Sequence, residues 1–142
     1  PEFILVPAER TQIQKAISLT RKDINEIQLA KSAIRVGIET LLEAAGVKAD
    51  DLKSFVIAGA FGSYINIESA IKIGMFPELP RDRFSQVGNA AGTGARQALI
   101  SRKIRQTSAD VARRVEYIEL TNHPEFQNRF LNHMYLPYRQ VF

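Results

Sequence analysis

The sequence contains no cysteine. Disulfides, thiolate-bound zinc and cysteine-ligated iron–sulfur clusters are therefore excluded within these 142 residues. No apolar run approaches the roughly 18–20 residues that span a bilayer as a helix. Histidine occurs twice, at His123 and His133, without a metal-like grouping, so surface or capping roles are expected for both. No G-x-S-x-G elbow, H-E-x-x-H pair or G-x-x-x-x-G-K-S/T loop is present. Asp50, Asp51, Glu116 and Glu119 read as solvated carboxylates. Catalytic constellations are thus scarce. The composition fits a cytoplasmic location, with no membrane partner expected.

Hydrophobic residues make up 45% of the chain and charged residues 24%, ordinary values for a single globular domain spanning residues 1–142. The formal net charge is +4, and part of the excess is local. Arg96, Arg102, Lys103, Arg105, Arg113 and Arg114 crowd one region. A solvated helix face, nucleic acid, an acidic protein and nucleotide phosphates all suit such a cluster. Interleaved aromatics and nucleic-acid motifs are missing, so nucleic acid is not the expected partner.

Apolar runs and turn residues predict alternating strands and helices. Glu2–Val6 reads as a strand ended by Pro7. An apolar strand starting at the second residue suggests a fragment of a larger multidomain protein. A polar connector, Ala8–Lys15, leads to a short strand at Ala16–Leu19, the expected antiparallel neighbour of the first. Thr20 caps a long helix, Arg21–Ala45, with Asp23 in its first turn and Gly46 as its stop. Gly37, inside that helix, is expected to permit close packing against the sheet. A short helix is expected at Asp50–Leu52 and a strand at Ser54–Ala60. Asn66 or Ser63 then caps a helix over Ile67–Ile73, closed by Gly74. Phe84–Val87 reads as a second buried strand. A helix over Ala90–Ser101 continues or bends into Arg102–Arg114. Val115–Leu120 alternates and predicts an edge strand. A last helix covers about Pro124–Met134, capped by Asn122 or Thr121, before an aromatic tail at Tyr135–Phe142.

The organising stretch is Ser54–Ser63, SFVIAGAFGS. Its unbroken apolar run predicts a strand buried on both faces. Gly59 and Gly62 then permit a turn that a Cβ would forbid. A second strand-to-glycine transition follows at Phe84–Gly94, FSQVGNAAGTG. One helix-length crossover between them predicts neighbouring strands with their carboxyl ends side by side. Open α/β sheets bind ligands at such edges. The helix starting at Ala90 adds an N-terminal dipole that favours an anion. A nucleotide lying across both turns is physically reasonable.

Three segments then carry a resemblance. Gln28–Arg35 (QLAKSAIR), Val56–Gly62 (VIAGAFG) and Val87–Leu99 (VGNAAGTGARQAL) together resemble the second, adenosine-binding lobe of the acetate/sugar kinase, heat-shock chaperone and actin superfamily. With Glu68-Ser-Ala70 and Arg114-Val-Glu-Tyr117, the wording is similar to the C-terminal domain of the reductive activators of corrinoid enzymes. The resemblance covers nearly the whole chain. It implies an α/β fold, part of a ribonuclease-H-like lobe, with a mixed sheet and helices packed on it. It implies ATP or ADP with Mg²⁺ as cofactor of the parent protein. ATP binding and hydrolysis there would be coupled to reduction of Co(II) to Co(I) in a corrinoid protein or a corrinoid-dependent methyltransferase. A [2Fe–2S] cluster is implied only for an N-terminal domain outside this chain. Gln28 and Lys31 fall at the ribose-holding positions, with Gln where the chaperones have an acid, and Arg35 falls at the adenine-contacting position. The glycine turns contribute Gly59, Ala60, Phe61, Gly62, Gly88, Asn89 and Gly92. The phosphate-gripping Asp-x-Gly loops of the superfamily are not in this sequence, so the chain supplies one wall of a cleft and is expected to be inactive alone. The alternative is a docking or dimerisation module without nucleotide binding. It would use the basic Arg96–Arg114 stretch and the aromatics Tyr135, Tyr138 and Phe142, against a partner or a second copy.

Overall fold

The computed structural model describes residues 2–136. The tail aromatics Tyr138 and Phe142 and the side chain of Phe61 lie outside the described residues.

Strand β1 (Glu2–Val6) pairs antiparallel with β2 (Ile17–Thr20), as the apolar runs predict. Thr20 then starts α1 (Arg21–Ala45) through reciprocal hydrogen bonds. Its Oγ1 accepts from the Asp23 amide at 3.2 Å, and the Asp23 carboxylate accepts from the Thr20 amide at 2.8 Å. These bonds satisfy donors that a helix start leaves open. Gly46 ends the helix in the left-handed conformation. The stripe of α1 that faces inward is Lys31, Ser32, Val36 and Thr40. Only one of these four is apolar, an unusual face for a packed helix.

Strand β3 (Phe55–Ala58) pairs in parallel with β4 (Phe84–Gly88). The connection carries α2 (Ile67–Lys72), capped by Asn66, whose side chain accepts from the Ser69 amide at 2.8 Å. Asn66 rather than Ser63 therefore starts this helix. The apolar core lies between this strand pair and α2, formed by Ile57, Ile67, Ala70, Phe76, Leu79 and Phe84. Phe55 sits 5.2 Å from both Phe76 and Phe84, ring centre to ring centre. Tilted pairs of this kind add about 0.5–1.5 kcal/mol each beyond area burial. Arg83 locks the start of β4 to the chain leading into β3, donating to the carbonyls of Asp50 at 2.7 Å and Leu52 at 3.0 Å.

The architecture is α/β with helices on small sheets, as expected. Burial of β3 on both faces is not observed. Ile57 is buried, but Val56 is 57% exposed, and Val87 beside it on β4 is 48% exposed. Among the described residues α2 and the loop after it cover one face of the pair, and nothing equivalent covers the other. An unbroken apolar run therefore marks two faces that can be buried, not two that are.

The remaining helices are α3 (Ala90–Ile100), α4 (Arg102–Ala112) and α5 (Phe126–Asn132). The bend between α3 and α4 falls at Ser101, whose hydroxyl accepts from the Ile104 amide. The expected strand at Val115–Leu120 does not form. No neighbouring strand offers it backbone partners among the described residues. Instead the Glu119 carboxylate takes the Thr121 hydroxyl at 2.7 Å and turns the chain into a 3₁₀ turn at Leu120–Asn122. Gly37 faces that turn and not the sheet. A Cβ there would lie 3.5 Å from Leu120 Cδ1, an ordinary contact.

Candidate functional site

The parallel pairing brings the two glycine turns together. Just past Ala58, the last paired residue of β3, the Gly59 amide donates to the carbonyl of Gly88, the last residue of β4, at 2.6 Å. Both glycines have positive φ, 102° and 59°. That region costs a residue with a Cβ about 1–2 kcal/mol. A Cβ on Gly59 would meet nothing within 4 Å, so the space above this turn is open. Around Gly88 the nearest neighbour is the Ser63 hydroxyl, 3.6 Å from a would-be Cβ, on the loop that follows the first turn.

The loop itself is held by a residue that the motifs do not single out. The Gln86 side-chain amide donates to the Ile65 carbonyl at 2.9 Å and also to the Gly62 carbonyl. Gly62 is fixed by packing, because a Cβ would sit 2.6 Å from Ile57 Cγ2 in the core. Asn89 caps α3, its side-chain oxygen accepting from the Gly92 amide at 2.9 Å. A Cβ on Gly92 would collide with that same side chain, at 2.6 Å from Nδ2. Gly59, Ala60, Gly62, Gly88, Asn89 and Gly92 thus form one connected edge at the carboxyl ends of β3 and β4. Open space over Gly59, backbone of unusual angle and a capped helix start are what a nucleotide's phosphate or ribose needs to approach a backbone closely.

The three helix residues have different surroundings. Lys31 is fully buried. Burial pulls its pKa below the usual lysine value, and the nearby Arg35 charge acts the same way. Gln28 donates to the Met134 carbonyl at 2.7 Å, just past α5. Arg35 donates to Glu39 at 2.7 Å and to the Phe76 carbonyl at 3.1 Å. It also borders a cleft of about 290 Å³ with Ala49, Asp50, Pro77 and Glu78. Arg35 therefore serves the packing of α1 against the loop after α2. Burial raises the pKa of Glu39, but hydrogen bonds from His133 and Arg35 outweigh it, so the net direction is downward.

His133 takes the capping role expected for it, at the end of α5, but its side chain also pairs with α1, a link that sequence reasoning missed. Its Nε2 lies 2.8 Å from Glu39 Oε2, and its side chain is only 12% exposed. A neighbouring pair, Arg129 and Glu43 at 2.6 Å, ties α5 to α1 as well. Spacing of four residues marks the Arg35–Glu39 pair in the sequence. Nothing local marks a histidine 94 residues from its partner.

Among the described residues, no three His, Cys, Asp or Glu side chains gather as a metal site. No helix among them is long and apolar enough to cross a membrane. The chain also offers no thiolate to an iron–sulfur cluster.

Comparison with known proteins bears on this geometry. A family model described as the C-terminal domain of RACo, the ASKHA domain, matches residues 1–142. The corrinoid activation enzyme RamQ of Eubacterium limosum is 38% identical over 129 residues, covering 91% of this chain and 22% of that protein. A Co(II) methylated amine-specific corrinoid protein reductase of Methanosarcina barkeri is 26% identical over 132 residues, covering 92% of this chain and 24% of that protein. Among solved structures, a reductive activator for corrinoid, iron-sulfur protein superposes with a TM-score of 0.87 at 36% identity, over 96% of this chain and 22% of that one. The chain spans less than a quarter of the length of these relatives.

Proposed function

This chain belongs to the family of RACo C-terminal ASKHA domains, and from that premise we propose that it is the nucleotide-binding lobe of an ATP-dependent activator of corrinoid proteins. It works as part of a longer activator, in the cytoplasm, where ATP is available. The observation that carries the reading is the pinned pair of turns, Gly59 against Gly88, with open space above Gly59. The backbone of this edge lies against the nucleotide, and the start of α3 faces its phosphates. Ala60, Phe61, Gly62, Asn89 and Gly92 complete this wall, and Gln28, Lys31 and Arg35 flank it from α1, which the Gln28 and Arg35 hydrogen bonds hold in place.

When bound, ATP supplies the binding and hydrolysis energy that moves the two lobes of the activator. This lobe orients the adenosine and closes over it. Mg²⁺ and the phosphate-gripping loops would belong to the other lobe, and a [2Fe–2S] domain elsewhere in the activator would supply the electron, since this chain has no cysteine to hold such a cluster. The cobalt of the partner is the substrate, taken from Co(II) to Co(I). The test is cobalt reduction by the full-length activator, assayed spectroscopically with and without ATP. Reduction that needs ATP supports the proposal. Reduction that proceeds equally well without it overturns the proposal.

A further inference from the structure

Helices α3 and α4 form a hairpin, bent at Ser101, whose residues stay exposed or half-buried. No residue of either helix is fully buried, although each is 11 residues long. Leu99 and Ile100, at the bend, are each 80% exposed. On α4, Ile104, Thr107, Val111 and Ala112 line a shallow groove of about 420 Å³ edged by Lys103. Charge surrounds this apolar surface. From Arg96 to Arg114 there are six cationic residues against one acid, Asp110. That excess is larger than the +4 of the whole chain, so the rest of the protein is slightly acidic.

Three of the six cations bond to residues of α3 and α4, Arg114 among them through the Asp110 carbonyl at 3.4 Å, and the other three do not pair with a carboxylate among the described residues. Arg105 closes the end of α3, donating to the Ala98 carbonyl at 2.6 Å and the Leu99 carbonyl at 3.1 Å. Arg113 pairs with Asp110. Arg96, Arg102 and Lys103 have no carboxylate partner among the described residues. Apolar centres ringed by arginine are the composition of protein interfaces, where arginine is enriched and lysine depleted. Here five of the six cations are arginine.

We infer that the α3–α4 hairpin is the surface on which the corrinoid protein docks, through an acidic face of that partner whose apolar side chains enter the α4 groove. The identity of the occupant rests on the function proposed above. Its chemistry rests on the charge pattern and on the exposed apolar side chains it surrounds. A second copy of this chain is disfavoured, because a symmetric interface would lay two basic hairpins against each other. Nucleic acid is disfavoured because no aromatic residue lies between Ala90 and Arg114 to stack on a base.

The test measures binding of the full-length activator to its corrinoid protein without nucleotide, at low and at physiological salt. Two variants are compared with the wild type: R102E/K103E/R114E, and L99S/I100S. Charge reversal is expected to weaken binding by about tenfold or more and to flatten its salt dependence. The apolar variant is expected to weaken binding and keep the salt dependence. ADP affinity and melting temperature should not change in either, which separates this inference from the nucleotide reading. Unchanged affinity for the corrinoid protein in both variants would overturn it. So would a drop in melting temperature, which would show the hairpin covered by the activator's own chain. A loss of self-association or of oligonucleotide binding in its place would overturn it as well.

Discussion

The amide of Gly59 and the carbonyl of Gly88, 2.6 Å apart, join the ends of two parallel strands at the residue where each one turns. This bond sets the spacing between the two turns, and both residues reach it only through positive φ. An alanine at either position would strain that geometry. Gly88→Ala is expected to lower stability by about 1–2 kcal/mol. Urea unfolding should show a lower midpoint with an unchanged slope. An unchanged midpoint would mean that the turn relaxes without loss.

Gly62 and Gly37 are expected to respond in opposite directions. A methyl on Gly62 meets Ile57 in the core at 2.6 Å, so Gly62→Ala should cost about 1–3 kcal/mol. A methyl on Gly37 makes only an ordinary contact with Leu120. Gly37→Ala should therefore stabilise by up to about 1 kcal/mol, from helix propensity. Thermal melts of the two variants check the pair. Destabilisation by both would show that α1 and Leu120 pack more tightly than the contact distance indicates.

The contrast between these glycines shows what could be read in advance. The capping box at Thr20 and Asp23, the stop at Gly46 and the two glycine turns are local patterns, and each appears where the residues place it. Gly37 is different, since its neighbour Leu120 is 83 positions away and the helix pattern cannot name it. Val56 and Val115 fail for a shared reason. Apolar character and alternation describe what a side chain can bury, while the neighbouring element decides whether burial happens. The glycine edge of the candidate site was legible because its chemistry is in the backbone. Gln86 and His133 were not, because each acts through a loop or helix distant in sequence.

Gln86 should position the first turn without touching a nucleotide. Its amide holds the carbonyls of Gly62 and Ile65, so Gln86→Leu removes both bonds at similar volume. Hydrogen exchange at residues 62–65 is expected to accelerate, at a stability cost of about 1–2 kcal/mol. Unchanged exchange in that loop would show that Gln86 is dispensable.

The link between α1 and α5 should fail on the acid side. The pKa of Glu39 in the folded protein lies below the ordinary 4.5, because hydrogen bonds from His133 and Arg35 outweigh its burial. A carboxylate shifted this way stabilises the fold above its unfolded pKa, and the benefit is lost as pH falls through the folded value. Urea unfolding at pH 6 and at pH 3.5 should show a smaller fall for Glu39→Gln than for the wild type. Equal falls would place the acid sensitivity elsewhere.

The most direct test of the nucleotide reading is calorimetric titration of ADP–Mg²⁺ into the full-length activator, wild type against Lys31→Met. Methionine keeps the volume of a fully buried side chain and removes its charge. Affinity is expected to fall by about tenfold, equivalent to ~1.4 kcal/mol, with the nucleotide-free melting temperature maintained. ADP binding that is unchanged in a folded Lys31→Met protein would contradict the placement of the nucleotide against this lobe.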